Sequence, residues 1–132
     1  DLADVYHLLS LLETDAARAV ARHASDAALA QLSALHQELE AAVRDSERFF
    51  ALNEAFHMRL LELADNRWRL QVVQDLRKVM KLHRQHSLHK HGRLTQSLAE
   101  HRELMAALTV RDGERAAVCM RRHFEGGLEA AS

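Results

Sequence analysis

The sequence has no proline and only four glycines among its 132 residues. Because these two residue types supply much of the chemistry of tight turns, few sharp turns are expected. Aromatic residues are also scarce, at 5% of the chain, and little in the sequence favours strands. Long helices with short connections between them are the predicted result.

Cysteine is nearly absent, and long apolar runs are missing. The single cysteine, Cys119, cannot form an internal disulfide, which agrees with a reducing compartment. No apolar run approaches the roughly 18–20 residues that a membrane span needs, and no signal peptide is visible. A cytoplasmic protein without a membrane partner is therefore expected.

An excess of one charge is also lacking, since the formal net charge is −1 with histidines neutral. A domain that binds DNA by itself normally carries a basic patch or excess. We therefore do not expect this chain to hold nucleic acid unaided. Its length and its 48% apolar content fit one globular domain.

What the sequence does contain is a helical pattern, in which apolar residues recur at spacings of three and four. Ser25 and Ser46 are predicted N-caps, and Gly126-Gly127 is expected to weaken the end of the last helix. Short connections favour antiparallel packing, so the predicted fold is an all-α antiparallel bundle of about six helices. The predicted segments run approximately over 2–23, 25–43, 46–64, 67–87, 93–110 and from 114 to 126 or beyond.

Histidine is the abundant outlier, with ten residues. Asn53 and His57 are four apart and so point from the same side of the third helix. His101 and His123 lie on apolar stripes of the fifth and sixth helices. Three imidazoles and one amide oxygen suit a divalent transition metal, so the four residues form a candidate metal site. The alternative at this point is three core histidines satisfied by hydrogen bonds.

Zinc, nickel, manganese or iron could all use this set, with zinc or nickel preferred and manganese also allowed. Asn53 supplies no negative charge, so a bound ion would keep its full +2 charge. We therefore expect a lower metal affinity, and a stronger preference for an anionic further ligand, than an aspartate would give.

Another group of histidines, His83, His86, His89 and His91, stands before Gly92 near the end of the fourth helix. This group resembles a metal cluster, but histidines near a helix C-terminus are favourable without any metal. We interpret it as a solvated helix end, although His83 continues an apolar stripe and is expected to face the interior. Elsewhere, Trp68 is predicted to be a packing anchor and His36 to be partly exposed.

Several motifs resemble one protein family. They are Leu8-Leu9-Ser10-Leu11-Leu12-Glu13, Asn53-Glu54-Ala55-Phe56-His57, Gly92-Arg93-Leu94, Leu98-Ala99-Glu100-His101-Arg102-Glu103-Leu104 and Met120-Arg121-Arg122-His123. Together they resemble the FadR-type C-terminal domain of GntR-superfamily transcription regulators. The resemblance spans nearly the whole chain, with the motifs in order and at suitable separations.

The resemblance implies an all-α domain that binds a small effector and a divalent metal and that forms homodimers. In the family the metal ligands are an acidic residue and three histidines, which correspond here to Asn53, His57, His101 and His123. Residues 1–132 are thus expected to be an effector-binding and dimerisation domain, and not an enzyme. The effector would be a small organic acid, and DNA would be bound only by an N-terminal winged helix-turn-helix domain that is absent from this chain.

Two positions depart from the family pattern. The acidic metal ligand is replaced by Asn53, and Leu9-Ser10 stands where the family often has arginines before its Leu-Leu-Glu. If such an arginine binds an effector carboxylate, another group must do so here. By position, Arg102, Arg59 and His83 are the candidates.

Two alternatives to a regulatory domain remain open from the sequence. A metal-dependent hydrolase or lyase could use three histidines and an open coordination position. It would also need a general base, but Glu54 and Glu100 each point about 100° away from the neighbouring ligand around the helix. The other alternative is a metal-free helical dimerisation module with merely buried histidines.

Overall fold

The computed structural model describes residues 2–132, which form six helices and no strand. The predicted all-α bundle is confirmed. The last helix continues through Gly126-Gly127, although this glycine pair was expected to weaken its end. The helices are α1 (Leu2–His23), α2 (Asp26–Ala41), α3 (Ser46–Leu63), α4 (Arg67–Leu88), α5 (Arg93–Thr109) and α6 (Gly113–Ala131). None of the helices in the described chain is long and apolar enough to cross a membrane.

Polar residues immediately before the helices define where most of them begin. In α2, α3, α4 and α6 the capping side chain accepts a hydrogen bond from the backbone N–H three residues later, which satisfies a donor that has no partner within the helix. The cap of α3 is Asp45 and not Ser46, which is already the first helical residue. The four capping residues are Ser25, Asp45, Asn66 and Asp112.

Helix α1 lies at the centre of the bundle, where it packs against α3, α4, α5 and most extensively α6. The apolar core is fully buried around Leu9, Phe56 and Met120. Polar side chains interrupt this core at one level of the bundle. Glu13 and His57 are each 0% exposed, and His101 is 1% exposed. The site therefore lies inside the bundle and not on its surface.

Three expectations about single side chains were wrong. Trp68 is 70% exposed, because it lies on the side of α4 that faces away from the buried stripe through Val73 and Met80. His83 is also exposed, since the buried stripe of α4 runs through Val73 and Met80 and has turned away from position 83. His36 is buried instead, and its Nε2 lies 3.1 Å from a carboxylate oxygen of Glu40, one turn further along α2.

Candidate metal and effector site

Three imidazoles from three helices meet inside the bundle. His57 of α3, His101 of α5 and His123 of α6 each place a ring nitrogen within 4.8 Å of the others. Their ring centroids are 4.9–5.3 Å apart. The structure thus brings together the three histidines that helical spacing had selected.

Asn53 lies one turn before His57 on α3 and lines the same cavity as His57 and His123. Its side-chain oxygen is buried and has no hydrogen-bond partner among the described residues. An amide oxygen in that condition is free to serve as a ligand. The fourth predicted member of the set therefore also faces the site.

Two carboxylates lie directly behind the imidazoles. The Nδ1 atom of His57 is 2.7 Å from Oε1 of Glu13, and the Nδ1 atom of His123 is 2.6 Å from Oε1 of Glu100. A neutral imidazole whose Nδ1–H donates to a carboxylate keeps its lone pair on Nε2, the arrangement that histidine ligands commonly adopt. These contacts orient two of the three rings for a ligand.

The contact between Glu100 and His123 gives Glu100 a role that the sequence did not suggest, because Glu100 was expected only to point about 100° away from His101. It does point away from His101 on its own helix. However, α6 packs against that side of α5 and places His123 there. The sequence analysis did not identify Glu13 as a site residue, although its position on the helix could have indicated one. It stands four residues after Leu9 and three before Ala16 on the buried stripe of α1.

Arginines neutralise these carboxylates. Arg77 forms a bidentate pair with Glu13, with contacts of 2.7–3.0 Å, and also donates to Glu54 at 2.9 Å. Arg84 pairs with the same Glu54. A matching pair on the other side joins Arg93 to Glu100 at 3.0 Å. The network behind the imidazoles is therefore made of three guanidinium groups and three carboxylates.

Gly126, the first residue of the adjacent pair Gly126-Gly127, is explained by the ion pair between Arg93 and Glu100. A Cβ atom on Gly126 would lie 2.7 Å from Oε2 of Glu100 and 2.9 Å from Nη1 of Arg93. Helix α6 therefore needs a residue without a side chain at this position if the ion pair is to lie against its backbone. Gly126 lets Glu100 approach His123.

The unpaired polar atoms test whether a metal fits these residues. The Nε2 atom of His57 and both ring nitrogens of His101 are buried and have no hydrogen-bond partner among residues 2–132. Together with the Asn53 oxygen they form a concentration of buried, unsatisfied atoms of a kind that folded proteins rarely tolerate. A divalent ion that takes one nitrogen from each ring and the amide oxygen would satisfy all of these atoms except the second ring nitrogen of His101, so the residues fit a metal.

The protonation of the rings agrees with that fit. Burial lowers the pKa of His57 and of His101 well below the usual histidine range. Burial also lowers the pKa of His123, although the neighbouring carboxylate of Glu100 opposes the shift. For Glu13, burial raises the pKa against the opposing effect of Arg77. Neutral imidazole is the form that binds metal, so the rings are ready for it at neutral pH.

A small cavity of about 50 Å³ adjoins the imidazoles. Its wall includes Tyr6 and Arg84, along with Ser87 and Ser97. The hydroxyl of Tyr6 and the Nε atom of Arg84 are buried and have no hydrogen-bond partner of good geometry in the described chain. These two donors are available to an anion that enters the cavity.

The three residues suggested as effector ligands lie elsewhere. Arg102 is on the surface and pairs with Glu40 at 2.6 Å. Arg59 contacts Gln31 and Glu62, and His83 is exposed. None of the three lines the cavity, where the cationic groups are instead Arg77, Arg84 and Arg93. Arg77 was detectable in principle, because it continues the buried spacing of Val73 and Met80.

Comparisons with known proteins place this geometry in context. The FCD domain family model matches residues 4–126 of the chain. Among solved structures, "E. coli McbR/YncC" has a TM-score of 0.88 and 19% sequence identity, and the match covers 98% of this chain and 67% of that one. At this identity the likeness shows the fold alone. No curated protein matches the sequence.

Proposed function

Because the chain belongs to the FCD domain family, the C-terminal domain of GntR-family regulators, it is a ligand-sensing regulatory domain, and we propose that it senses a small organic acid through a bound divalent metal. Asn53, His57, His101 and His123 would hold the ion. The occupied domain would then modulate DNA binding by an N-terminal domain of the full-length cytoplasmic regulator.

The observation that carries this proposal is that three imidazoles converge inside the bundle and that an unpaired amide oxygen lines the same cavity. Imidazole-rich sites suit zinc or nickel, and manganese is also compatible with an oxygen ligand. The charged protein groups around the cavity neutralise one another, so the ion would give the cavity a net positive charge. An acidic effector would take the coordination positions that the protein leaves open.

The same geometry argues against the hydrolase or lyase alternative. A hydrolytic site needs a general base that is free to take a proton from water. Glu13 and Glu100 are the carboxylates in contact with the imidazoles, and each is already engaged by a histidine and an arginine. We propose that the domain is not an enzyme.

Helix α4 supports the proposal of a homodimer. Large apolar side chains are exposed along one of its faces, where Trp68, Val72, Val79 and Leu82 are each 47–77% exposed. Exposed apolar surface of this kind is typical of protein interfaces. The opposite face of α4 carries Arg77 and Arg84, so the helix connects the cavity to the proposed dimer contact. An effector would act by binding one arrangement of the dimer better than another.

Metal content tests the proposal directly. Untagged protein would be purified without chelator or nickel resin, and its metals would be measured by mass spectrometry. We expect about one divalent ion per chain in the parent, little in His101→Ala, and the parental content in the control His86→Ala, whose side chain is exposed. Metal-free parent protein would contradict the proposed site and would favour the metal-free dimerisation module.

A further inference from the structure

The charge of the buried site can be added up from its contacts. Glu13, Glu54 and Glu100 are matched by three guanidinium groups, those of Arg77, Arg84 and Arg93. Three neutral imidazoles and the amide of Asn53 add no charge. If the proposed ion is bound, the site would therefore hold two positive charges that no protein group offsets.

We infer that the effector of this domain is a small dianion, either a short dicarboxylate or an inorganic oxyanion. This inference rests on the proposed metal site. A monocarboxylate would leave one positive charge uncompensated in a buried position, and an unpaired buried charge is strongly disfavoured. A dianion would neutralise the site completely.

The hydrogen-bond donors in the cavity wall lie where a second anionic group of the same ligand could bind. One group of the ligand would bind the ion beside Asn53 and His57. The Tyr6 hydroxyl and Arg84 Nε are buried in the wall of the same cavity, and neither atom donates a hydrogen bond to another described residue. They would receive the second group, and hydrogen bonds between a cationic or hydroxyl donor and an anion are among the stronger ones in proteins.

The size of the cavity limits the ligand. A buried water needs a cavity volume of roughly 10–15 Å³. The cavity beside the imidazoles, at about 50 Å³, therefore has room for about four waters. Two larger surface grooves, of about 630 and 340 Å³, adjoin this space. Phe50 lines the space and both grooves, Arg84 lines the space and the smaller groove, and Glu54 lines both grooves. A longer ligand would have to displace the pair between Arg84 and Glu54, so a compact dianion fits best.

Calorimetric titration of the zinc-loaded chain with anions of matched size tests the inference. Oxalate would be compared with pyruvate and malonate with acetoacetate, because each pair has equal numbers of non-hydrogen atoms but different charge. Titrations with sulfate and phosphate would show whether the preferred dianion is an inorganic oxyanion or an organic dicarboxylate. We expect each dianion, or the oxyanions, to bind at least ten-fold tighter than the monoanions. Equal affinities, or tighter binding of the monoanions, would overturn the inference.

Two variants sharpen the test. Asn53→Asp adds one negative charge beside the ion, so the preference for dianions should fall by about ten-fold or more. Arg102→Gln is the control, because it also lowers the charge by one but lies on the surface against Glu40. An unchanged preference in Asn53→Asp, or an equal loss in both variants, would contradict the charge argument.

Metal content measured after each titration separates the two ways in which the idea could fail. If the parent chain never binds zinc, the proposed function and this inference fall together. If zinc stays bound while dianions gain no advantage, only the inference about the effector is wrong. If a dianion merely removes zinc from the protein, the metal leaves with the ligand on dialysis, and the inference is overturned as well.

Discussion

Two groups of histidines differ in everything except residue type. His83, His86, His89 and His91 lie within nine residues, yet all four are exposed at the end of α4 and the turn that follows. His57, His101 and His123 are far apart in sequence, yet their ring nitrogens lie within 4.8 Å of one another. A high density of histidines along the sequence is therefore a poor indicator of a metal site. Burial on converging helices, with carboxylates behind the rings, makes the difference.

The largest effect is expected from the carboxylate that supports a buried histidine. Glu13→Gln would leave Arg77 without its bidentate partner inside the core, and breaking a buried ion pair costs about 3–5 kcal/mol. Chemical denaturation would measure the loss. Glu114→Gln, which breaks exposed pairs with Arg18 and Arg22, should cost at most ~1 kcal/mol. Equal costs would mean that the Glu13 network contributes no more than a surface pair.

The next largest effect is expected from zinc, which should stabilise the fold through the buried histidine group and not through the exposed one. A ligand that binds only the folded state at 100 times its dissociation constant adds about 2.7 kcal/mol to the free energy of unfolding. The parent chain should therefore melt at a higher temperature with zinc, as followed by circular dichroism. His57→Gln should lose the shift and His89→Gln should retain it. A shift that disappears in His89→Gln alone would assign the metal to the exposed group.

A smaller effect is expected from pH in the metal-free chain. Burial lowers the pKa of His57 and His101, so below about pH 6.5 the unfolded chain binds protons that the folded chain does not. The free energy of unfolding should fall as pH decreases from that point, by on the order of 1 kcal/mol per pH unit for each ring that stays neutral. The loss should level off below the folded-state pKa.

Denaturation across pH 7.5 to 5 would follow this loss in two variants. His101→Gln should flatten the dependence, whereas His86→Gln, from the exposed group, should not. Comparing variants also removes the opposite contribution of Glu13, whose raised pKa is common to all of them. The same slope in His101→Gln and the parent would show that His101 is not held neutral by the fold.

The smallest effect on stability is expected at Gly126. A helical alanine is favoured over glycine by roughly 1 kcal/mol, which should offset most of the cost of crowding Glu100 and Arg93. Displacing Glu100 should nevertheless weaken its hold on His123, so zinc affinity in Gly126→Ala should fall by about ten-fold. Competition with a chromogenic chelator would measure it, with Glu100→Gln expected to give a similar loss. Unchanged zinc affinity in both variants would remove Glu100 from the site.

The sequence alone determined the helices and the metal candidates. The absence of proline, the apolar spacing of three to four and the polar caps are local properties, and local hydrogen bonding and amphipathicity follow from them directly. The same spacing placed Asn53 beside His57 and put His101 and His123 on inward faces. These inferences needed no knowledge of which helices are neighbours.

Only the tertiary structure decided what surrounds the candidate ligands. That Glu13 supports His57, that Glu100 supports His123 and that Arg84 lines the cavity all depend on how helices distant in sequence are rotated against one another. A rotation of one residue position, about 100°, moves a side chain from the core to solvent, as the opposite fates of Arg84 and His83 illustrate. Such rotations are set by the packing of the whole bundle, which no single helix encodes.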